Sequence, residues 1–387
     1  MNITPSNEQW EAIKSIVKWY GEGNQFFYLA GYAGVGKSTI CSIAIEEIKK
    51  KYKIKTINTA TYTGKAASVL RKKGVDASTI HSMIYIADID DKGALHGFDL
   101  DRYGLASKAD LIVLDECSMI ADDMAEDLLS FGKKILVMGD PGQLPPVNGL
   151  GYFTRNTPDV FLQEIHRQCA DSPIIKLATM ARKGEKITPG LYNDDNVLSM
   201  MLNNETQNHI HNTETQVICG INRVRHTVTK KIRDKLGFHG EFPLFGERVI
   251  CCKNDKVEKL FNGQMGYLKS DANELSSTEY GDRYLAEFKV LMDDERYSHT
   301  LNVDPYLFQG HFRSDGKAEK IPYIKGREIK SFNEFDWGYA ITCHKAQGSQ
   351  WDHVTIVDDS SAFREDRNRW LYTALTRAET GLTLLMR

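Results

Sequence analysis

The sequence lacks the marks of several protein classes. Its seven cysteines form no CxxC pair and no Cys/His metal spacing, which argues against a disulfide framework and a structural zinc site. No stretch reaches the ~18 apolar residues of a membrane span, and the N-terminus has no basic patch followed by an apolar core. We therefore expect a soluble protein with reduced thiols, in a bacterial cytoplasm or an infected host cell.

An excess of positive charge is also absent. Lys and Arg total 49 and Asp and Glu total 52, so the formal charge of the chain is −3. Any nucleic acid must therefore meet a local basic surface, because the whole molecule supplies no attraction. Only 10 of the 387 residues are proline and 41% are apolar, which is typical of a globular protein of two or three domains.

Short apolar runs alternate with longer helical patterns in the first part of the chain. This alternation predicts a doubly wound α/β lobe with a parallel sheet over residues 1–165. Turn signals within residues 83–108 predict a small hairpin inserted in this lobe. The expected strands are Phe26–Ala30, Ile54–Ala60, Leu111–Leu114 and Lys134–Met138, and the expected helices are Ser38–Lys50 and Gly64–Lys73.

A second alternation predicts a second α/β lobe over residues 166–244 and 336–387. Short strand-like pieces separated by Asn-Gly and Asp-Gly turns predict a small β-barrel inserted at residues 245–335. Residues 188–213 are polar and indicate an irregular connection with weak helix. The expected elements of the lobe are the strands Gln216–Cys219, His353–Asp358 and Gly381–Met386 and the helices Asn222–Lys235 and Arg367–Ala378.

One segment matches the phosphate-loop pattern GxxxxGK[ST]. It runs from Gly31 to Ser38, directly after an apolar strand and at the start of a helix, which is the context that the pattern requires. Its backbone N–H groups would face phosphates, Lys37 would reach the β and γ oxygens, and Ser38 would ligate Mg²⁺. The predicted ATP-binding residues of the loop are Gly31, Ala33, Gly34, Val35, Gly36, Lys37, Ser38 and Thr39. The alternative is a chance glycine-rich turn.

Two acidic residues follow the apolar run Leu111–Leu114. The strand would deliver Asp115 to the end of the sheet where doubly wound folds bind ligands, so Asp115 is a candidate Mg²⁺ ligand. Glu116 is then placed to take the proton from an attacking water. Taken alone, an Asp-Glu pair after a strand more often caps a helix. Its pairing with the phosphate loop favours the metal site and the base.

Three further residues are candidates for the same chemistry. Gln143 follows the strand Lys134–Met138 on a Pro/Gly loop, where its amide could donate to the γ-phosphate and report the nucleotide state. A plain turn is the alternative. Arg167 and Arg377 stand in unusual settings and could supply cations that neutralise charge in the transition state.

The motifs in series resemble those of the superfamily 1 helicases, in the branch typified by RecD and Dda, from Asn7 to Arg387. The matching segments beyond the phosphate loop are Thr63–Ala67, Ala77–His81, Gly139–Val147, Tyr339–Gln350 and Tyr372–Ala378. The resemblance implies two RecA-like lobes. It also implies that the first insertion is a wedge hairpin and that the second is an SH3-like barrel.

The same resemblance implies residue roles. Gln9 is similar to a glutamine that reads adenine, and the arginine matching Arg377 is a finger on the γ-phosphate. The residues implied in gripping the DNA backbone are Thr63, Gly64, Lys65, Thr79 and His81 in the first lobe and Thr342, His344 and Ser349 in the second. Each has a structural alternative, since Thr79 also suits a helix N-cap and His344 a buried histidine.

The predicted function is an ATP- and Mg²⁺-dependent DNA helicase. By resemblance it translocates 5′ to 3′ on single-stranded DNA, unwinds duplexes at junctions through ATP hydrolysis between its two lobes, and acts as a monomer alongside replication or recombination proteins. The hairpin is short, which leaves open an alternative: a nucleic-acid-stimulated ATPase that remodels protein–DNA complexes without separating strands. A nucleotide kinase or GTPase would leave Arg167, Arg377 and residues 342–349 unexplained.

Overall fold

The structure, a computed structural model, divides the chain into two compact units. It describes residues 5–89, 95–146, 151–165, 171–193, 196–211, 214–255, 258, 260–271, 273–277, 284–293, 295–313 and 332–387. The first unit holds residues 5–89, the described part of Leu95–Lys186, and Asn368–Thr376; the second holds the described parts of Ile187–Arg367 and Arg377–Arg387. No helix in these described ranges combines the length and apolarity that a membrane crossing needs.

The first unit is built on a six-stranded sheet. Its strand order is β3-β2-β6-β7-β1-β8 and every pairing is parallel. The elements in chain order are α1 (Asn7–Glu22), β1 (Phe26–Gly31), α2 (Lys37–Tyr52), β2 (Ile57–Thr61), α3 (Gly64–Lys72), β3 (Ala77–Thr79), α4 (Ile80–Ile84), β4 (Tyr85–Ile89), β5 (Leu95–Leu100), α5 (Leu105–Lys108), β6 (Leu111–Asp115), α6 (Asp122–Leu129), β7 (Lys134–Gly139), β8 (Val160–Leu162) and α7 (Pro173–Lys183).

Two hydrophobic cores cover the two faces of this sheet. Successive side chains of a strand point to opposite faces, so Ile112 and Leu114 enter one core while Leu111 and Val113 enter the other. Each strand is therefore almost wholly apolar, as the sequence predicts for a sheet covered on both sides. The predicted α/β class with a parallel sheet is confirmed. The strands β4 and β5 pair antiparallel, apart from the main sheet, within the predicted hairpin region.

The contact boundary of the first unit differs from the expected residue 165. Helix α7 and the chain up to Lys186 belong to this unit, and so does the distant segment Asn368–Thr376. Local patterns could not show this, because they identify helices but not the sheet against which a helix packs.

The second unit contains another six-stranded sheet, with the order β18-β11-β19-β20-β10-β9. All pairings are parallel except that of β9 with β10. The elements of the second unit in chain order are β9 (Gly190–Asn193), β10 (Val197–Met201), β11 (Gln216–Cys219), α8 (Asn222–Leu236), β12 (Arg248–Cys251), β13 (Met265–Leu268), β14 (Asn273–Ser277), β15 (Tyr284–Met292), β16 (His299–Asp304), α9 (Tyr306–Gly310), β17 (Asn333–Trp337), β18 (Ala340–Thr342), α10 (Cys343–Ala346), β19 (Trp351–Val357), α11 (Arg367–Leu375, which passes into the first unit at Asn368) and β20 (Ala378–Met386).

Two expectations for this part of the chain are wrong. Residues 188–213 are not simply an irregular connection, because β9 and β10 lie there and extend the sheet. The expected helix Arg367–Ala378 ends at Leu375, since Ala378 already pairs with Trp351 as the first residue of β20. In both cases the hydrogen bonds of the sheet override a weak local pattern.

The predicted insertion at residues 245–335 contains a third sheet. Its order is β13-β12-β17-β16-β15-β14, and β13 also pairs with β15, so five of the strands form a closed ring. The ring encloses its own core, which includes Phe288, Phe335 and Trp337. Closure leaves few unpaired strand edges, which suits a small barrel carried as an insertion.

Candidate active site

The phosphate-loop segment lies between β1 and α2. Gly34 and Gly36 adopt φ angles of 81° and 85°, in the left-handed region that favours glycine. Gly36 is the N-cap of α2, so the loop passes directly into the helix at Lys37. Backbone N–H groups at such a helix start are free of intrahelical partners and can bind phosphate. The local backbone therefore has the form that the motif predicts.

Lys37 lies across this loop. Its Nζ donates to the carbonyl oxygens of Gly31 at 2.7 Å and Tyr32 at 3.0 Å. Ser38, in the first turn of α2, is exposed, and Thr39 after it is half-buried. The ammonium group and the Ser38 hydroxyl are thus both at the start of the helix, where a triphosphate and its Mg²⁺ would need them.

Gln9 joins α1 to the phosphate loop. Its Nε2 donates to the Val35 carbonyl at 3.0 Å, and its Oε1 accepts from the Ser6 N–H at 2.9 Å. The Ser6 hydroxyl in turn accepts from the Gln9 N–H, which completes a capping box at the start of α1. Gln9 is therefore buried against the loop. Its contact with adenine stays a prediction.

Asp115 and Glu116 follow β6 at the same end of the sheet. Burial, with the neighbouring Glu116 charge, raises the pKa of Asp115 to about 6, although the Lys37 ammonium opposes the rise. The phosphate loop and the acidic pair, which are distant in sequence, are therefore within electrostatic reach of each other. Glu116 adopts a φ of 55°, a left-handed conformation that costs a non-glycine residue about 1–2 kcal/mol.

A buried hydrogen-bond chain, which the sequence interpretation missed, also reaches the loop. The Tyr372 hydroxyl accepts from the Ala33 N–H at 2.8 Å and donates to Asp140 Oδ2 at 2.5 Å. Tyr372 belongs to the segment Asn368–Thr376 of the first unit. Asp140 and Tyr372 lie in two segments that resemble helicase motifs, Gly139–Val147 and Tyr372–Ala378. Only the tertiary structure shows that their side chains are in contact.

Gln143 lies next to this chain. Its side chain is 7% exposed, and its Oε1 has no hydrogen-bond partner among the described residues. A buried amide oxygen without a partner is costly, so its availability suits a ligand or water at this position. Gln143 was predicted as a phosphate sensor, and this role stays a prediction.

Arg182 is a second residue that the sequence interpretation missed. Its guanidinium carbon lies 3.5 Å from the ring centroid of Tyr32 in the phosphate loop. Arg182 lies on helix α7, which belongs to the first unit. A guanidinium stacked on an aromatic ring is held in place and brings positive charge to the loop.

The two predicted catalytic arginines have different outcomes. Arg167 lies outside the described residues. Arg377 belongs to the second unit, where its side chain is 3% exposed and its Nη1 donates to the Ser349 carbonyl at 3.2 Å. The role of each as a cation for the transition state stays a prediction.

Three of the predicted DNA contacts share one structural position. The hydroxyls of Thr63, Thr79 and Thr342 each cap the N-terminus of a helix, accepting from the backbone N–H three residues later. The structural alternative for Thr79 is therefore correct. This position does not exclude DNA binding.

The other predicted DNA contacts differ in burial. Gly64 and Ser349 are buried, and Lys65 is half-buried. His81 packs edge-on against Phe98 of β5, with ring centroids 4.5 Å apart. His344 is half-buried, and burial lowers its pKa.

The donor set fits ATP and Mg²⁺. Carboxylate and hydroxyl oxygens, here of Asp115 and Ser38, are ligands that Mg²⁺ prefers. The raised pKa of Asp115 shows that the protein's own cations do not fully compensate this buried carboxylate, as expected where a metal ion binds. A phosphate loop after a parallel strand, with an acid at the end of a neighbouring strand, defines a P-loop nucleotide-binding protein.

Comparisons with known proteins narrow this class. Residues 4–202, just over half of the chain, match the AAA domain family, and residues 338–385 match the UvrD-like helicase C-terminal domain. The chain is 27% identical over 394 residues to the ATP-dependent RecD2 DNA helicase of Deinococcus radiodurans, covering 96% of this chain but only half of that protein. It is 24% identical over 416 residues to the ATP-dependent DNA helicase Pif1 of Campylobacter jejuni, covering 92% of this chain and 87% of that protein.

A solved structure agrees on the fold. The crystal structure of Pif1 helicase from Bacteroides in complex with ADP-AlF3 and ssDNA superposes with a TM-score of 0.56 and 20% identity, covering 99% of this chain and 92% of that one. By its AAA domain and its UvrD-like helicase C-terminal segment, the chain belongs to the superfamily 1 helicases of the RecD and Pif1 type.

Proposed function

We propose that this protein is an ATP-dependent helicase that translocates 5′ to 3′ on single-stranded DNA and unwinds duplexes. The observation that carries the proposal is the convergence of Lys37 and the uncompensated Asp115 on one phosphate loop. When bound, Mg²⁺-ATP supplies the bond whose hydrolysis drives the movement. Lys37 holds the β and γ oxygens, Ser38 and Asp115 hold the metal, and Glu116 accepts the proton of the attacking water.

The remaining predicted residues complete this assignment. Gln143 contacts the γ-phosphate, while Arg167 and Arg377 supply further positive charge. The grip on DNA comes from Thr63, Thr79 and Thr342, where helix starts face the backbone phosphates, together with Gly64, Lys65, His81, His344 and Ser349. The Bacteroides relative crystallised with ssDNA supports this part of the proposal. Such contacts with the DNA backbone need little net positive charge, which suits a chain whose formal charge is −3.

The β4–β5 hairpin and the closed sheet receive roles by the same proposal. The hairpin of β4 and β5 is the wedge that separates strands, and the closed sheet corresponds to an SH3-like barrel. Opening one base-pair step costs roughly 1.4 kcal/mol, so the wedge opposes a modest barrier per step. Ile86 and Phe98 expose apolar surface on the hairpin, 55% and 45% respectively, which supports a contact with bases.

A second candidate function is a translocase that remodels protein–DNA complexes without strand separation. The size of the hairpin favours it, because β4 and β5 have only five and six residues. In addition, Phe98 leans on His81 and is not a free wedge residue.

One set of assays tests both candidates. ATP hydrolysis is measured with and without oligo-deoxythymidine, with Lys37→Ala as the inactive control. Unwinding is then measured on duplexes with a single 5′ or 3′ tail. We expect stimulation by the oligonucleotide and unwinding from the 5′ tail. Unwinding from the 3′ tail alone would contradict the polarity, while displacement of a bound protein without duplex opening would favour the second candidate.

A further inference from the structure

Two adjacent hydroxyls of α11 hold residues 139–146 of the first unit, the described part of the segment that resembles the third helicase motif and is called the third motif below. The Tyr372 hydroxyl links the Ala33 N–H of the phosphate loop to the Asp140 carboxylate, at 2.8 Å and 2.5 Å. The Thr373 hydroxyl accepts from the Leu144 N–H at 2.9 Å. Neither contact is local, since Tyr372 is 339 residues from Ala33 and 232 from Asp140 in the sequence.

These bonds flank Gln143. Asp140 Oδ1 accepts from the Gly142 N–H at 2.9 Å, so the backbone before Gln143 is held through the carboxylate that Tyr372 binds. The backbone after Gln143 is held by Thr373 through Leu144. The backbone that carries Gln143 is thus held on both sides of this residue.

Water cannot easily replace these bonds. Tyr372 and Asp140 are each only 2% exposed, so a lost hydroxyl would leave the buried Asp140 carboxylate and the half-buried Ala33 N–H without this partner. The packing is also tight. A methyl group on Gly142 would lie within 3.0–3.1 Å of Tyr372, Arg182 and Asp140, so the segment has little freedom to shift.

We infer that Tyr372 is a positioning residue for ATP hydrolysis, whose hydroxyl ties the phosphate loop to the third motif and, with Thr373, holds Gln143 in its working position. The inference rests on the proposed hydrolysis of ATP and concerns residues to which that proposal gives no role. Tyr372 acts through Asp140 and Gln143. Removal of its hydroxyl should therefore slow the chemical step more than it weakens ATP binding, because Lys37 and the backbone N–H groups of the phosphate loop remain.

The test is Tyr372→Phe, which keeps the ring and removes only the hydroxyl. We expect kcat for oligo-deoxythymidine-stimulated ATP hydrolysis to fall about 10- to 100-fold, while KM for ATP changes less than about threefold, because a hydrogen bond to a buried charged group is lost. The matched control is Tyr52→Phe in the last turn of α2, which removes a hydroxyl that donates to the Val17 carbonyl at 3.1 Å. This control should keep the wild-type kcat.

A double-mutant cycle separates positioning from general damage. Asp140→Asn and Tyr372→Phe should each lower kcat, and the double variant should be little worse than Tyr372→Phe alone, because both changes act on the hydrogen bond between Tyr372 and Asp140. Thr373→Val should also lower kcat, and Thr373→Ser should restore it by keeping the hydroxyl. If Tyr372→Phe does not fold, the Thr373 pair decides the question through the same split of kcat and KM.

The outcomes distinguish the two proposals. If the wild-type protein hydrolyses no ATP with any DNA, the proposed function is wrong. If the wild type is active but Tyr372→Phe keeps kcat within twofold, or Thr373→Val matches Thr373→Ser, the inference is wrong and the proposed function stands.

Discussion

Two groups of buried carboxylates, one beside the phosphate loop and one around Asp336, differ in how their charge is compensated. In the first unit burial raises the pKa values of Asp115 and Asp140, and Lys37 opposes both rises without cancelling them. In the second unit burial alone would raise the pKa of Asp336, but Arg225 and His311 hold it well below its usual range. The charge of Asp115 and Asp140 is thus only partly compensated, whereas that of Asp336 is neutralised by its neighbours.

Both carboxylate oxygens of Asp336 have hydrogen-bond partners. Arg225 Nη1 donates to one oxygen at 2.5 Å, and the other oxygen accepts from His311 Nε2 and from the Trp337 N–H, each at 2.8 Å. The cluster joins helix α8 to strand β17 of the closed sheet. A second buried pair, Arg233 with Glu247, is bidentate. We interpret these groups as structural, because every charge has a partner of opposite sign.

The contrast between the two sites points to Asp115 as the carboxylate that needs a cation from outside the protein. A buried acid that the protein pairs itself stabilises the fold, whereas an acid left partly unpaired beside a phosphate loop is expected to bind a metal ion. The comparison makes opposite predictions for the two regions, and four experiments test it.

The largest effect is expected for Lys37→Ala. Removal of the ammonium group eliminates the phosphate contact and the cation that faces Asp115, so ATP hydrolysis should fall by roughly 1000-fold. Phosphate release at saturating oligo-deoxythymidine measures it, with circular dichroism as the folding control. Hydrolysis within tenfold of the wild type would contradict the assigned site.

The second-largest effect is expected for Glu116→Gln. The amide cannot accept a proton, so turnover should fall by about 100-fold. ATP binding should persist or tighten, because the loss of the Glu116 charge removes a repulsion that raises the pKa of Asp115. Turnover and the Kd for a fluorescent ATP analogue measure the two effects. Equal losses of binding and turnover would argue against Glu116 as the base.

The same substitution in the two clusters sharpens the comparison. Asp336→Asn leaves Arg225 buried without its counter-charge and should cost about 3–5 kcal/mol of unfolding free energy. Asp115→Asn removes an uncompensated charge and should be neutral or stabilise by about 1 kcal/mol, while it abolishes turnover. Denaturant unfolding of both variants measures these values. Equal destabilisation would remove the distinction between a structural and a functional carboxylate.

The smallest effect is the pH dependence of stability. Burial, together with the charges of His311 and Arg225, lowers the pKa of His226 to about 3, so the unfolded chain binds the proton first. This contribution is complete above about pH 6.5 and is lost as the pH falls. Asp115 acts in the opposite direction between about pH 6 and 4, because its pKa is raised on folding.

We therefore expect His226→Gln to flatten the fall in unfolding free energy between about pH 6 and 4, by roughly 1 kcal/mol per pH unit. Asp115→Asn should steepen it. Denaturant titrations at several pH values measure both. Parallel curves for the two variants would show that neither group titrates as described.

Much of the fold could be predicted from the sequence because its signals are local. The apolar runs of β6 and β7 and the phosphate loop after β1 each depend on fewer than ten consecutive residues. Strand β10 was missed because polar residues flank its short apolar run Val197–Met201, and its pairing with β20 and β9 is what identifies it as a strand. The end of α11 was missed for the same reason.

The sequence by itself determined which chemistry is present: the loop that can bind phosphate, the acid after β6, and the helix caps at Thr63, Thr79 and Thr342. Each of these is set by backbone geometry and short-range hydrogen bonds. Only the tertiary structure decided that Tyr372 bonds to Ala33 and Asp140 and that Arg182 stacks on Tyr32. Such contacts join residues more than 100 positions apart, and they form because packed elements exclude water, which no local pattern encodes.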